Sequence, residues 1–180
     1  MKLKDILEKS AIILGIDDAD FDNPNEKVNK LIDAGKMIIS ELTLEIFPLK
    51  TKETVTLRDG KCPYEALSMP VREVLKVKRG QEILPFDSLP ECVQVRDEFS
   101  GVVEITYLYY LPDVDVETKL PLPPQFSPYV LSTGVVSEYY FRTGMVDEAT
   151  FYKTRYDYSV RNLTRSLKSS YTIPKRGFIW

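Results

Sequence analysis

The amino-acid sequence, 180 residues long, has no histidine and only two cysteines. Histidine is the commonest general base of enzymes and the commonest protein ligand for metals, so its absence removes both uses at once. It also excludes the Ser-His and Cys-His pairs of nucleophilic catalysis. The cysteines, Cys62 and Cys92, are far apart in the sequence and belong to no Cys-x-x-Cys motif. We therefore expect isolated, buried thiols in a reducing compartment, and neither a zinc site nor a redox pair.

Glycine-rich loops and other catalytic motifs are missing as well. Gly60, Gly80 and Gly101 stand singly at expected turns, so no phosphate-binding loop is predicted. No Gly-x-Ser-x-Gly motif occurs. Carboxylates are abundant, with 27 Asp and Glu, but none falls in a pattern that a hydrolase would require. We expect a protein that is not an enzyme and that binds no cofactor.

Long apolar runs and a signal peptide are also absent. Residues 1–10 are charged throughout and hold no apolar signal-peptide core. No stretch approaches the ~18 consecutive apolar residues of a membrane-spanning helix. These absences predict a protein that is made in the cytoplasm and has no membrane partner.

The sequence does contain an ordinary globular composition with an uneven distribution of charge. Its 43% hydrophobic and 28% charged residues predict one folded domain with a real core. The net charge is −3, but residues 153–180 hold seven basic residues against one acidic residue, a net of +6, so residues 1–152 carry −9. The basic residues are Lys153, Arg155, Arg161, Arg165, Lys168, Lys175 and Arg176. Segments of opposite charge favour assembly with a partner, although solvated helix faces account for them equally well.

Apolar residues at helical spacing predict two helices within residues 1–49. The first is short and ends at Gly15, and the second is a long core helix that ends at Pro48. Gly35 lies inside the second helix, where glycine costs about 1 kcal/mol relative to alanine unless a neighbour packs close to it.

An acidic loop separates these two helices. Asp18, Asp20 and Asp22 match the first three ligand positions of a calcium-binding loop. The match then fails, because Asn23 replaces the turn glycine and Asn29 stands where the bidentate glutamate belongs, so we expect no metal site. We interpret Asn23 instead as the N-cap of the second helix.

The chain changes character over residues 50–112, where prolines and short β-prone runs replace the helical pattern. The Asp59-Gly60 and Arg79-Gly80 pairs predict hairpin turns. Residues 102–110 alternate apolar and polar side chains, as in a strand with one buried face. We expect four to six short antiparallel strands, inserted between helices.

A proline-rich connector, residues 111–124, leads to two further helices within residues 123–168. Ser127 is the expected N-cap of the third helix, and Gly144 marks the break before the fourth. The fourth helix carries one apolar stripe: Ala149, Tyr152, Tyr156, Val160, Leu163 and Leu167. The predicted fold class is therefore α+β, a bundle of about four helices with an inserted small antiparallel sheet or barrel and an extended C-terminal tail, residues 169–180.

Aromatic and basic residues are interleaved in the last quarter of the chain. Such a mixture can bind single-stranded nucleic acid by stacking and phosphate contact. It consists of Tyr139, Tyr140, Phe141, Arg142, Phe151, Tyr152, Lys153, Arg155, Tyr156 and Tyr158. Because Tyr152 and Tyr156 lie on the regular apolar stripe, helix packing is favoured, and a nucleic-acid-binding module is the alternative function.

The C-terminal tail concentrates large apolar groups that soluble termini usually avoid. We expect it to dock on another protein through Tyr171, Ile173, Lys175, Arg176, Phe178, Ile179 and Trp180. Each large apolar side chain contributes roughly 1.5–3 kcal/mol when buried, whereas ordering each residue costs roughly 1–2 kcal/mol. One tail therefore docks near break-even, and a ring of tails on a symmetric partner gains from multivalency. A tail folded back on its own domain is the other possibility.

The order of these elements resembles the head-to-tail connector proteins of tailed bacteriophages, also called adaptor or head-completion proteins. The resemblance covers about residues 25–170. The segments that carry it are 102–112, 120–126, 130–144, 148–149 and 152–158.

The resemblance implies a structural virion protein in the neck at the capsid vertex. Such proteins form a ring beneath the portal, commonly of twelve subunits, whose helices build the ring and whose C-terminal tail packs onto the portal. The β insertion would lie nearer the tail or the outer surface, beside a tail-side neck protein. DNA would pass through the lumen without sequence-specific binding, and the −9 of residues 1–152 would supply an acidic lining. A lumen lined by Lys and Arg would contradict that last expectation.

Overall fold

The computed structural model describes residues 1–96 and 99–170, which form two compact units. The helical unit consists of Met1–Glu41 and the chain from Val114 onward, and the β unit of Leu42–Asp113. Within the described residues there are four α-helices and two antiparallel sheets. The predicted α+β class with about four helices is therefore confirmed.

The helical unit is built around its third helix. Its helices are α1 Leu3–Leu14, α2 Glu26–Glu41, α3 Pro128–Arg142 and α4 Val146–Ser170. Helix α3 packs against each of the other three, and its buried side chains include Leu131, Val135 and Val136. Helix α3 is thus the element against which the other three helices pack.

Helix α1 ends where the sequence predicts, because Gly15 adopts the left-handed conformation with φ 66°. The buried face of α1 includes Leu3 and Leu7, and both lie beside Gly35 of α2. A Cβ at position 35 would stand 2.7 Å from Leu7 Cδ2. The glycine inside α2 therefore permits the close approach of α1, which is the condition under which the sequence tolerates it.

The N-cap of α2 is Asn25, and the prediction of Asn23 is wrong. The Asn25 side-chain oxygen accepts a hydrogen bond from the Val28 amide at 3.0 Å. The Asn23 amide instead donates to the Asp20 carboxylate at 3.1 Å, and the Asp22 amide donates to it at 2.9 Å. Residues 20–23 therefore close a turn of their own, and the helix starts two residues later than expected.

Replacing the Asn25 cap is expected to lower the free energy of unfolding of the helical unit by about 1 kcal/mol, since Asn25→Ala leaves a first-turn amide without its acceptor. The matched substitution Asn23→Ala removes no cap and is expected to change it by less than about 0.5 kcal/mol. Urea denaturation followed by circular dichroism measures both. Equal losses for the two variants would contradict the assignment of the cap to Asn25.

Helix α4 follows the predicted stripe but extends further than predicted. Ala149, Tyr156 and Val160 are buried, whereas Leu163 and Leu167 are only half-buried. The helix continues through residues 169 and 170, which the sequence had assigned to the tail. The described helix thus reaches two residues beyond the predicted end at residue 168, because serine is tolerated in a helix.

Within its described residues the β unit has seven strands, one more than the upper end of the prediction. They are β1 Lys50–Leu57, β2 Lys61–Pro63, β3 Val71–Arg79, β4 Glu82–Leu84, β5 Phe86–Ser88, β6 Cys92–Val95 and β7 Gly101–Tyr109. One sheet has the strand order β1-β7-β3-β4 and the other β2-β6-β5. Strand β7 pairs with β1 on one side and β3 on the other, so the last strand in sequence is central to the larger sheet.

The Asp59-Gly60 turn has the predicted local geometry but joins strands of different sheets. Both residues have positive φ, 50° and 72°, as a type I′ turn requires. Arg58 and Lys61 exchange backbone hydrogen bonds across it. Beyond this pair, β1 pairs with β7 and β2 with β6, because turn residues fix only the local reversal and β7 offers β1 eight paired positions. The Arg79-Gly80 turn does join a hairpin, formed by β3 and β4.

One core lies beneath both sheets. It consists of Leu57, Cys62, Leu67, Val74, Val77, Leu84, Val93, Val95, Val103, Ile105 and Tyr107. Burial raises the pKa of the Cys62 thiol, as expected of an inert core cysteine. Cys92 is only half-buried, so the expected burial holds for Cys62 alone. The two cysteines lie on the paired strands β2 and β6, so the expectation that they are isolated from each other is wrong.

Candidate assembly surface on the α3–α4 hairpin

Helices α3 and α4 form an antiparallel hairpin, and the residues that begin α3 and separate the two helices are those that the sequence predicts. Ser127 caps α3 by accepting a hydrogen bond from the Val130 amide at 3.4 Å, as predicted. Gly144 adopts φ 80° at the predicted break. The Ser137 hydroxyl donates to the Ala149 carbonyl at 2.8 Å, which ties the two helices together near the break.

The close contact in the middle of the hairpin is made by Gly134 and Tyr156. A Cβ at position 134 would stand 2.9 Å from two carbons of the Tyr156 ring. The ring is fully buried, and its hydroxyl has no hydrogen-bond partner among the described residues. Burial raises the pKa of this hydroxyl far above its usual range. Tyr156 is therefore a core residue, as the stripe predicts, and is not part of any surface.

Near the break, aromatic rings from the two helices form a continuous series. The Tyr139 and Tyr140 rings meet edge to face, with centroids 6.3 Å apart. Tyr140 stacks on Tyr152 at 5.9 Å, and Tyr152 meets Phe151 edge to face at 5.3 Å. The Tyr140–Tyr152 pair joins α3 to α4, and a pair of this kind contributes about 0.5–1.5 kcal/mol beyond the area that it buries. The series ends at Phe151, whose side chain faces solvent.

Several large apolar side chains at this end of the hairpin are exposed. Phe141 is 66% exposed, Val146 58% and Phe151 63%, and Met145 is also exposed. We call these four residues the hairpin tip. A group of this kind at one end of a helical hairpin is typical of a surface that another protein covers. Phe141 and Phe151 were expected only as part of the aromatic-basic mixture, and Met145 and Val146 were not expected to be functional; the signal in the sequence is that large apolar residues lie close to the break at Gly144.

The side of α4 opposite its buried stripe is basic and aromatic. We call it the outer face of α4, and its residues are Phe151, Thr154, Arg155, Tyr158, Arg161, Asn162 and Arg165, all of them exposed. Phe151, Tyr158 and Arg165 recur every seven residues, so they lie in line along the helix. Tyr158 is 70% exposed. The outer face of α4 contains three arginines and no acidic residue.

Two of the basic residues of α4 are already engaged within the helical unit. The Arg155 guanidinium lies 5.3 Å from the centroid of the Tyr129 ring and donates a hydrogen bond to the Tyr129 hydroxyl. Lys153 forms ion pairs with Glu41 at 3.0 Å and Asp157 at 3.2 Å. Burial disfavours the Lys153 ammonium, but these hydrogen bonds outweigh it and hold the Lys153 pKa above its usual value.

Arg161 and Arg165 differ from these two residues. In the part of the chain that the structure describes, they form no ion pair, so their charges are available to a partner. The predicted docking residues Tyr171, Ile173, Lys175, Arg176, Phe178, Ile179 and Trp180 lie outside the described residues. On the α3–α4 hairpin, the candidate assembly surfaces that the structure describes are therefore the hairpin tip and the outer face of α4.

The described parts of the two units, residues 1–96 and 99–170, contain no cluster of Asp, Glu or Cys side chains that could hold a metal ion. Over the same residues, no helix combines the length and the apolar composition needed to cross a bilayer. No protein-family model matches the chain, and a search of curated proteins finds no significant match.

Proposed function

We propose that the protein is a structural subunit of a tailed-phage virion, which forms an adaptor ring between the portal and the tail and has no catalytic role. The observation that carries this proposal is the exposed apolar hairpin tip, with Phe141, Met145, Val146 and Phe151. A side chain of this size stabilises an assembly by roughly 1.5–3 kcal/mol when a neighbour buries it. A subunit that repeats in a ring buries the same tip many times.

The architecture supports the same proposal. Helical and β units formed from one chain, with the β unit inserted between α2 and α3, are in keeping with the resemblance to connector proteins. In the proposed ring, the helical unit supplies the contacts between subunits and the C-terminal residues reach the portal. The virion neck is the proposed location, and DNA in the lumen is the proposed non-specific neighbour.

Deleting residues 171–180 is expected to abolish binding to the portal oligomer of the same virion, because these residues hold the aromatic and aliphatic groups that we propose dock there. The loss is expected to exceed roughly 100-fold, since many weak docking events on one ring multiply. Co-sedimentation of the purified chain with the portal oligomer measures it. Circular dichroism and the melting temperature should match those of the full-length chain, because the deletion leaves α4 and both cores intact.

Two full-length variants identify which part of the tail acts. Phe178→Ser combined with Ile179→Ser and Trp180→Ser removes apolar groups but keeps both charges, and is expected to reproduce the deletion. Lys175→Gln combined with Arg176→Gln keeps the apolar groups and is expected to weaken binding only at low salt. Portal binding that survives both the deletion and the serine variant would contradict the proposed docking role.

A second candidate function is a nucleic-acid-binding module. The observation that favours it is the outer face of α4, where Phe151 and Tyr158 are exposed beside Arg155, Arg161 and Arg165. Fluorescence anisotropy with a labelled single strand separates the two functions. A nucleic-acid module should bind with an affinity that falls steeply with salt and does not require residues 171–180. An adaptor subunit should bind the single strand weakly and the portal oligomer strongly.

A further inference from the structure

The helical unit carries an acidic groove between α1 and the loop that follows it. The groove has a volume of ≈ 430 Å³, and its apolar lining includes Ile12, Ile16 and Phe21. Ile12 is 73% exposed, the largest exposed fraction of any large hydrophobic side chain among the described residues. An isoleucine that extends from a helix into solvent beside two further apolar residues is an unusual feature unless a partner covers it.

The rim of the groove is negatively charged. Glu8, Asp17, Asp20 and Asp22 line it together with one basic residue, Lys4. The Lys4 ammonium lies 3.4 Å from the Glu117 carboxylate, which also pairs with Lys2, and the four carboxylates of the groove outnumber this one lysine. Hydrogen bonds from the amides of Asn23 and Asp22 hold the Asp20 pKa below its usual value. Asp20 therefore stays ionised, and the groove presents an acidic rim around an apolar floor.

The outer face of α4 has the complementary character. Its arginines are opposite in charge to the carboxylates of the groove, and its exposed aromatic side chains, Phe151 and Tyr158, are suited to pack on the apolar lining of the groove. Complementary charge steers two surfaces together and sets their orientation, while burial of the aromatic groups supplies the affinity.

The two surfaces do not cover each other within one chain. Helix α1 packs on α2 and α3, and α4 packs on α3, while α1 and α4 make no comparable contact. A second copy of the chain carries the complement of each surface and is therefore the partner that fits both of them. Because the two surfaces differ, such a contact is heterologous, and it generates a closed ring when the rotation between copies closes.

We propose that the outer face of α4 of one copy docks into the acidic groove of the next, so that the chain assembles head to tail. This inference deepens the proposed function, on which it rests, by naming the two surfaces that join neighbouring subunits. Tyr158 and Phe151 are the apolar anchors, and Arg161 and Arg165 face Asp17 and Asp22 across the contact.

A reciprocal exchange of charge tests the proposal. One variant carries Arg161→Glu and Arg165→Glu on the outer face of α4, and the other carries Asp17→Lys and Asp22→Lys on the groove. These four positions are exposed. Asp20 is left intact because its carboxylate accepts the hydrogen bonds that close the loop, and Arg155 because it contacts Tyr129. Sedimentation velocity over a concentration series is expected to show that each variant alone self-associates at least roughly tenfold more weakly than the wild-type chain.

Two restored combinations make the test specific. In an equal mixture, the acidic α4 of the first variant faces the basic groove of the second, and the basic α4 of the second faces the acidic groove of the first. Contacts between unlike chains are therefore complementary, and the mixture is expected to assemble with close to the wild-type affinity. A single chain with all four substitutions is expected to assemble with itself for the same reason. The control Arg58→Glu with Lys61→Glu makes the same change in net charge as the α4 variant, on exposed residues of the β unit, and should leave assembly unchanged.

The outcomes separate this inference from the function on which it rests. A wild-type chain that stays monomeric at all concentrations, or a mixture that does not recover assembly, overturns the head-to-tail contact. Binding of the portal oligomer is measured on the same samples. Portal binding without charge-dependent assembly leaves the adaptor role standing and removes the proposed contact. Charge-dependent assembly without portal binding supports the proposed contact and contradicts the adaptor role.

Discussion

Gly134→Ala is expected to lower the free energy of unfolding of the helical unit by about 2 kcal/mol, although alanine is the better helix former. The added Cβ would lie 2.9 Å from the Tyr156 ring, a distance that non-bonded carbons do not tolerate. The ring is rigid and fully buried, so it cannot turn aside without disturbing the packing of α3 on α4. The strain therefore outweighs the gain of about 1 kcal/mol in helix propensity.

The matched control is Gly35→Ala, at the other glycine that lies in a helix contact. There the added Cβ would stand 2.7 Å from a terminal methyl group of Leu7, which is also fully buried but, unlike a ring, can move this methyl group by a small change of rotamer. The strain is smaller and the same propensity gain applies, so the net change is expected to stay within about 1 kcal/mol of zero. Urea denaturation of both variants measures the difference, and a Gly134→Ala chain as stable as the wild type would contradict the close-packing argument.

A double substitution assigns the effect to the Tyr156 ring. In a Tyr156→Leu background, the side chain beside position 134 is smaller and flexible, so Gly134→Ala is expected to lose most of its penalty. The interaction energy from the double-mutant cycle should reach about 1–2 kcal/mol, the usual size for residues in direct contact. Additive effects would place the origin of the penalty elsewhere in α3.

The α3–α4 hairpin illustrates which features of the fold are predictable from sequence. The cap at Ser127, the break at Gly144 and the stripe of α4 are local or periodic signals; the structure confirms the first two, and it buries Ala149, Tyr156 and Val160 of the stripe. Gly134 carries no such signal. Its role depends on which residue of another helix arrives opposite it, and spacing along one helix does not contain that information.

In the β unit, too, local features are predictable from the sequence and long-range pairing is not. The local reversal at Asp59-Gly60 and most of the alternation of β7 are correctly predicted, since both depend on neighbouring residues, although the polar Thr106 is also buried. The partner of β1 is not, because pairing is decided by which edge offers the longer register, and β7 lies more than forty positions away. Likewise, the acidic loop is recognisable from sequence as charged, but its use as one wall of a groove requires α1 to be in place.

In the β unit, Glu53→Gln is expected to lower the free energy of unfolding by about 2 kcal/mol at neutral pH. The Glu53 carboxylate accepts hydrogen bonds from the Ser68 hydroxyl at 2.5 Å, from the Ser68 amide at 3.0 Å and from the Tyr107 hydroxyl. The Met69 amide in turn donates to the Tyr107 hydroxyl at 3.3 Å. The carboxylate thus joins β1, β7 and the segment that precedes β3. In Glu53→Gln, one carboxylate oxygen becomes an NH₂ group, which cannot accept a hydrogen bond and would face the donors of Ser68 or Tyr107.

The matched control is Glu104→Gln, on the same sheet. Glu104 pairs with Lys52 at 3.5 Å on the exposed side of β7 and β1. A solvent-exposed pair of this kind contributes little, so its loss is expected to change stability by less than about 0.5 kcal/mol. Equal losses for the two glutamates would show that charge on the sheet, rather than the hydrogen bonds of Glu53, determines the effect.

The pH dependence of stability separates the Glu53 network from ordinary packing. Burial raises the pKa of Glu53, but the hydrogen bonds from Ser68 and Tyr107 outweigh burial, so the pKa lies below its usual value of 4.5. A lowered carboxyl pKa means that the unfolded chain binds the proton more readily, so stability rises with pH through this range. The difference between the wild type and Glu53→Gln should therefore be full above about pH 4.5 and shrink as the pH falls below it.

The tyrosine of the same network predicts a second, alkaline limit with the opposite sign. Burial and the hydrogen bond to Glu53 raise the pKa of Tyr107 from 10.0 to about 12. Between these values the folded chain keeps a proton that the unfolded chain releases, so stability is lost as the pH rises. Tyr107→Phe should remove this alkaline loss and also reduce the acid dependence, since the carboxylate loses one of its donors. The unfolding free energies of Glu53→Gln and Tyr107→Phe, measured from acidic to alkaline pH, test both limits together. If Tyr107→Phe changed the pH dependence of stability at only one of the two limits, the coupling between Glu53 and Tyr107 would be contradicted.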